Sequence, residues 1–281
     1  MGGVTGDRTG NRRADAMRVS RAFLWEGWLG ARSYPSSFVV TQITMLIPIL
    51  TYRFVARLVP TQNFPVGGDY FAFVVLGLVA WRLMSGAVSI VASTLQEALD
   101  QGRFEILLVQ PLSWRFLPFA LAEWPMMLRV ANTAGGLGMA ILLGARFRLG
   151  GIAPALLILA LAGGATLAIA ALIASVTLVA KKSESVLRVY SLAAGLLAGV
   201  FYPTDVLPAW VRTLSYAVPD THVIAAIRRL ALPGGAALDG PSAMAAIVGL
   251  VVFDLVMVPF SIWLFGRVLN FGRETGLLGS Y

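Results

Sequence analysis

Six stretches of the chain are almost unbroken in apolar character: residues 38–59, 70–95, 116–143, 152–180, 186–202 and 243–265, each bounded by charges, proline or glycine. A helix needs about 20 apolar residues to cross the roughly 30 Å hydrocarbon core of a bilayer, so the pattern predicts an all-α membrane protein with six transmembrane helices. The first run is too long for a signal-peptide core and no small-residue cleavage site follows it, so it is expected to be retained. Before it, residues 17–34 mix Arg18, Arg21 and Arg32 with Phe23, Leu24, Trp25, Trp28 and Leu29, as in a helix lying in the headgroup layer. Residues 1–16, dominated by Gly, Asp and Arg, are expected to form a disordered tail, which leaves 17–281 as one transmembrane domain.

Two connecting segments do not read as ordinary loops. In the inner one, 96–113, Glu97, Asp100, Arg103 and Glu105 alternate with Leu95, Ala98, Leu99, Ile106 and Val109 near helical spacing. It predicts a short amphipathic helix, bent at Gly102, along the membrane surface between spans two and three. The outer segment, 203–229, sets Pro203, Pro208 and Pro219 among apolar residues. It is too apolar for a solvated loop and too interrupted for a straight span. Non-helical backbone at that depth must be covered by protein or line a cavity, which predicts short re-entrant or interfacial helices between spans five and six.

Composition strengthens the membrane reading. Of 281 residues 58% are hydrophobic and 13% charged, where a soluble domain has about half and a quarter. The formal net charge of +8 fits an excess of basic residues in cytoplasmic loops better than nucleic-acid binding. Six spans place both termini on one side, where the tails and two loops hold about 13 Lys/Arg against about 7 on the other, so both termini are expected in the cytoplasm. Arginine supplies twenty of the 22 basic residues, as in proteins of GC-rich bacterial genomes, which points to a bacterial cytoplasmic membrane. With no cysteine and one histidine, His222, the chain has no disulfides, thiolate metal sites or HExxH motif. It also carries no GxxxxGK[ST] phosphate loop, and no catalytic, cofactor or metal residues are expected.

Charges within spans carry an energetic penalty, which singles out Arg82, Glu123, Arg129 and Asp254. Glu123 and Arg129 are six residues apart, too far to pair along one helix. Pairing of Arg82 or Arg129 with Asp254 across helices is the alternative to a role in transport. The pairs Gly135-Gly136 and Gly163-Gly164 read as close-packing sites. Gly195 and Gly199 form a GxxxG that packs either within the chain or across a dimer.

The inner stretch EALDQGRFEILLVQPLS, residues 97–113, resembles the cytoplasmic segment of permeases of the ATP-binding-cassette type 2 family, apart from Phe104 and Gln110. The outer stretch GVFYPTDVLPAWVRTLSYAVPDTHVIAAIR, residues 199–228, is similar to the same family's signature at the end of its fifth span. There Gly199, Tyr202, Pro203, Leu207, Pro208, Trp210, Leu214, Pro219, Thr221 and Arg228 fall where the family has them. The resemblance implies six spans, an N-terminal elbow helix, a cytoplasmic coupling helix and a re-entrant outer segment. It implies a membrane subunit that pairs with a second copy or a homologous permease and with two ATPase subunits, which hold the ATP and Mg. Glu97, Asp100, Gly102, Arg103, Glu105 and Pro111 would then meet the ATPase, and Tyr202, Pro203, Leu207, Pro208, Trp210 and Pro219 would shape an outer gate.

The function implied is ATP-driven export of an amphipathic small molecule, drug or lipid by alternating access. A polysaccharide or teichoic-acid exporter shares the same fold. An ion-coupled secondary transporter, using Glu123 or Asp254, is the alternative of a different class.

Overall fold

The computed structural model describes residues 35–59, 69–101, 117–180, 184–234 and 241–274, with 25, 28, 29, 32 and 33 ahead of them. Among the described residues there are eight α-helices and no strand: α1 (Pro35–Val55), α2 (Tyr70–Asp100), α3 (Leu117–Leu142), α4 (Ile152–Ala180), α5 (Glu184–Leu197), α6 (Ala209–Tyr216), α7 (Pro219–Ala231) and α8 (Pro241–Glu274). Four helical stretches are long and apolar enough to cross a membrane: Phe38–Val55, Tyr70–Thr94, Leu149–Thr177 and Ile247–Phe271. Of the two other expected spans, α3 has 26 residues but is diluted by Glu123, Arg129 and Asn132. The other, α5, has 14 residues, about 21 Å, less than the hydrocarbon core.

Local chemistry explains several boundaries. Asp69 caps α2, its Oδ1 accepting from the backbone N–H of Phe71 at 3.1 Å and of Ala72 at 3.3 Å. α2 then runs 31 residues, about 46 Å, well beyond one bilayer core. Its last turns therefore take in Glu97 and Asp100, where the sequence pattern predicts the start of a separate short helix. α1 ends at Val55, and Arg57 and Leu58 close tight turns onto Phe54 and Val55 instead of extending the span to 59. Pro48, Pro125 and Pro259 lie inside α1, α3 and α8, as membrane helices tolerate when neighbours re-satisfy the freed carbonyls. On α4, Thr166, Ser175 and Thr177 donate to carbonyls four residues back, so their hydroxyls are satisfied without water.

α2 forms the centre of the bundle. Every residue from Phe71 to Ala80 is buried, and α1, α3, α4, α5 and α7 all pack on it. α4 lies between α2 and α8 and buries Ala162, Ala165, Ala168 and Ala171 around its circumference, small residues that allow close helix approach on more than one side. Gln42 of α1 donates to Asn132 of α3 at 2.8 Å, while Gly135 and Gly136 admit the Gln42 and Met45 side chains. α1 and α8, by contrast, expose long apolar faces, including Ile43 and Ile47 on one and Val252, Leu255 and Val256 on the other.

At one end of the bundle α2 begins, α3 turns into α4 and α5 finishes; α6 and α7 close this end. The turn 143–151 is tied to α7 there, because Arg148 N–H donates to the Ala231 carbonyl at 2.8 Å and Gly151 lies directly on the Leu230 carbonyl. Of the expected interfacial helix, the described positions Trp25, Trp28, Leu29, Arg32 and Ser33 are helical and exposed, and Trp28 meets Trp124 edge-on at 6.3 Å. The expected tail 1–16 lies outside the described residues.

Candidate functional site

The outer segment forms a helical hairpin. α5 stops because Gly199 adopts φ +66°, the left-handed conformation that glycine reaches without the steric penalty of a side chain. A Cβ there would also lie 2.7 Å from Thr204 Cγ2 and 2.9 Å from the Tyr202 carbonyl. Pro203 then opens a one-turn 3-10 helix, Thr204–Val206, which ends at Leu207, and Pro208 precedes α6. The Tyr202 hydroxyl donates back to the Leu196 carbonyl, fastening this turn to α5. Pro219 sits at the start of α7, where its missing N–H has no helical partner to lose. Trp210, on α6, is 71% exposed.

α7 is the buried arm of the hairpin, enclosed by α2, α4 and α8. Its residue Arg228 is only 6% exposed. The guanidinium donates from Nε to the Phe73 carbonyl at 3.0 Å, from Nη1 to the Gly199 carbonyl at 2.8 Å and from Nη2 to the Val200 carbonyl. Its carbon also stands 3.5 Å from the centre of the Phe73 ring. One side chain thus joins α7, the first turn of α2 and the break after α5. The fixed fork of donors suits three carbonyls at once, which a lysine could not match. Gly77 makes the approach possible, since a Cβ at that position would overlap Arg228 Nη2 and lie 2.6 Å from the Val200 carbonyl.

The other end of α7 carries a second polar group. Asp220 is fully buried, at 0% exposure, in the first turn, where the helix dipole favours a carboxylate. The Tyr190 hydroxyl, on α5, donates to its Oδ2 at 3.1 Å, and Oδ1 has no hydrogen-bond partner among the described residues. Beside it Thr221 donates to the Ser215 carbonyl at 2.7 Å, and Ser215 donates to the Leu197 carbonyl at 2.6 Å, capping the end of α5. His222 stacks with Tyr216 and contacts its carbonyl at 2.9 Å through Nε2. Tyr190 lies seven residues before the end of α5, so α7 starts beside the body of α5 and finishes level with the turn beyond it.

The remaining candidates are dispersed. Gly195 packs within the chain, its position 3.0 Å from Trp81 Cζ2 as measured from a Cβ, whereas Gly199 lies beyond the helix and serves the turn rather than helix packing. Asp254 of α8 lies against Gly164 of α4, and its Oδ1 has no partner among the described residues. Arg129 of α3 lies against Gly86 of α2, close enough to Arg82 for the two charges to repel. Asp254 thus forms no ion pair with either arginine among the described residues; it packs on α4 while they meet between α2 and α3. Glu97 is exposed near the far end of α2, and Asp100 ends that helix. The Glu123 side chain, and Gly102, Arg103, Glu105 and Pro111, lie outside the described residues.

Compared with known protein families and with curated proteins, the sequence matches none. The geometry therefore stands on its own residues: a helical protein with four candidate membrane spans and a hairpin pinned by a buried arginine. The roles of Arg228, Asp220 and Tyr190 do not follow from hydrophobic periodicity. The available signal was the retention of an arginine and an aspartate inside an apolar, proline-interrupted segment.

Proposed function

We propose that the chain is the membrane subunit of an ATP-binding-cassette type 2 exporter, which carries an amphipathic small molecule, drug or lipid across the membrane while a separate subunit hydrolyses ATP. The observation that carries this reading is the hairpin: a short fifth helix broken at Gly199, followed by α6 and a buried α7 locked to α2 by Arg228, in the stretch that resembles the family's outer signature. In this reading α3 is a crossing despite its charges. The short α5 crosses with the help of the hairpin, making six spans.

The mechanism follows from stiffness. Two ATPase subunits close on ATP and Mg, and the cytoplasmic segment with Glu97, Asp100, Gly102, Arg103, Glu105 and Pro111 moves with them. α2 is a continuous helix of 31 residues whose other end is bonded to Arg228, so displacement at the ATPase end reaches the hairpin without an intervening hinge. Tyr202, Pro203, Leu207, Pro208, Trp210 and Pro219 shape the external gate between this chain and a second copy or homologous permease.

Purification of the tagged chain from its host in mild detergent tests this. An ATPase subunit is expected at equal stoichiometry and is lost when Arg103 and Glu105 are charge-reversed together. A chain that purifies without any ATPase under conditions that preserve such complexes contradicts the proposal. One observation favours a second reading, ion-coupled transport: the Asp254 carboxylate has an oxygen without a donor in a membrane helix. Transport driven by an ion gradient without ATP, abolished by Asp254→Asn, would replace the exporter reading.

A further inference from the structure

Hydrogen-bond donors without acceptors gather on one side of α2. Arg82 is twelve residues from Tyr70, about 18 Å along the helix, and Arg129 is thirteen residues before Leu142, about 20 Å from the same end of the bundle. Both therefore sit near the middle of a 30 Å hydrocarbon layer, where an uncompensated arginine is unfavourable. A Cβ at Gly86 would lie 2.5 Å from Arg129 Cζ, so this glycine is the notch that brings the second guanidinium onto α2. Among the described residues neither arginine has a hydrogen-bond or ion-pair partner, and their charges repel each other.

Two neutral groups extend the cluster. Ser85 is 7% exposed, and its hydroxyl has no hydrogen-bond partner among the described residues. The indole N–H of Trp81 is likewise buried and without an acceptor. Trp81 and Ser85 follow one strip of the helix, Arg82 and Gly86 the neighbouring strip. Trp81 packs on Gly195 of α5 and Gly86 on Arg129 of α3, so Arg82, half-exposed, lies on the α2 surface between the two flanking helices. Guanidinium and indole groups donate and cannot accept, and a hydroxyl can donate too. Such a set is complementary to a group made only of acceptors and bearing negative charge.

We infer that α2, between α3 and α5, binds the phosphate or carboxylate headgroup of an anionic amphiphile, with Arg82 and Arg129 as its ionic partners and Ser85 and Trp81 as neutral donors. The apolar tail lies in the membrane beside half-exposed Arg82. The site does not depend on the exporter reading. If that reading holds, the anionic amphiphile is the cargo or a resident lipid.

The test uses the full chain in nanodiscs of phosphatidylcholine, with hexadecyl phosphate as probe, hexadecanol as neutral control and bound copies counted by native mass spectrometry. Wild type is expected to prefer the phosphate by about tenfold or more, the size of one charge-assisted hydrogen bond. The preference disappears in Arg82→Gln/Arg129→Gln, persists in part in Arg82→Lys/Arg129→Lys and is unchanged in Arg188→Gln, an exposed arginine of α5. No preference in wild type, or an equal preference in the double glutamine variant, overturns the site. If an ATPase partner copurifies, release of the phosphate on ATP turnover identifies cargo and retention identifies a resident lipid. Should no ATPase be found, the binding comparison still decides the site.

Discussion

Arg228→Ala is expected to destabilise the protein by on the order of 4 kcal/mol, as three charge-assisted hydrogen bonds are lost inside the bundle. The carbonyls of Gly199 and Val200 lie in a turn rather than a regular helix, so no helical ladder takes over for them. The hairpin would detach from the first turn of α2, and thermal unfolding in detergent, followed by size exclusion, should begin well below the wild-type temperature. Arg228→Lys keeps the charge but not the planar fork, and is expected to recover only part of the loss. An alanine variant that melts with the wild type would show that the guanidinium does not hold the hairpin to α2.

Gly77→Ala is the second large effect expected. Adding one methyl usually destabilises a packed core by about 1–3 kcal/mol, and here the obstruction is both a buried guanidinium and the Val200 backbone carbonyl, which a rotamer change cannot move. Because Gly77 and Arg228 share this contact, their effects should not add. Combined with Arg228→Ala, the glycine substitution should lose about 1 kcal/mol or more of its effect, the remainder reflecting Val200. Independent, additive effects in a double-mutant cycle would show that Gly77 is not the notch for Arg228.

The apolar runs were legible because helical spans need only length and hydropathy: the runs at 70–95 and 152–180 correspond to α2 and α4. What periodicity could not give was where a helix stops when the next segment is also apolar. α2 continues through Glu97 and Asp100 because charged residues extend a helix beyond the membrane as readily as they end a span. α5 stops at Leu197, well before the apolar run does, because the stop is a backbone event at Gly199. Gly195 and Gly199 looked equivalent in a GxxxG pattern, yet one packs on Trp81 and the other turns the chain. Arg82, Arg129 and Asp254 were found as intramembrane charges from sequence. Their surroundings, Gly86 against Arg129 and Gly164 against Asp254, could not be found that way, because they depend on which helices adjoin. For 203–229 the pattern predicts short re-entrant or interfacial helices and the resemblance marks Arg228, but neither shows that Arg228 and Asp220 are enclosed, because that depends on the packing of α7 against α2, α4 and α8.

In the proposed arrangement α6 and α7 enter and leave the membrane on one face. The chain has no cysteine, so single cysteines can be placed without background at Arg146, Asp205, Arg229, Glu97 and Glu184, all exposed positions, and labelled from each side with an impermeant maleimide. Arg146→Cys, Asp205→Cys and Arg229→Cys are predicted to label from one face, and Glu97→Cys and Glu184→Cys only from the other. Labelling of position 229 together with 97 would mean that α7 crosses the membrane, and would contradict the re-entrant hairpin.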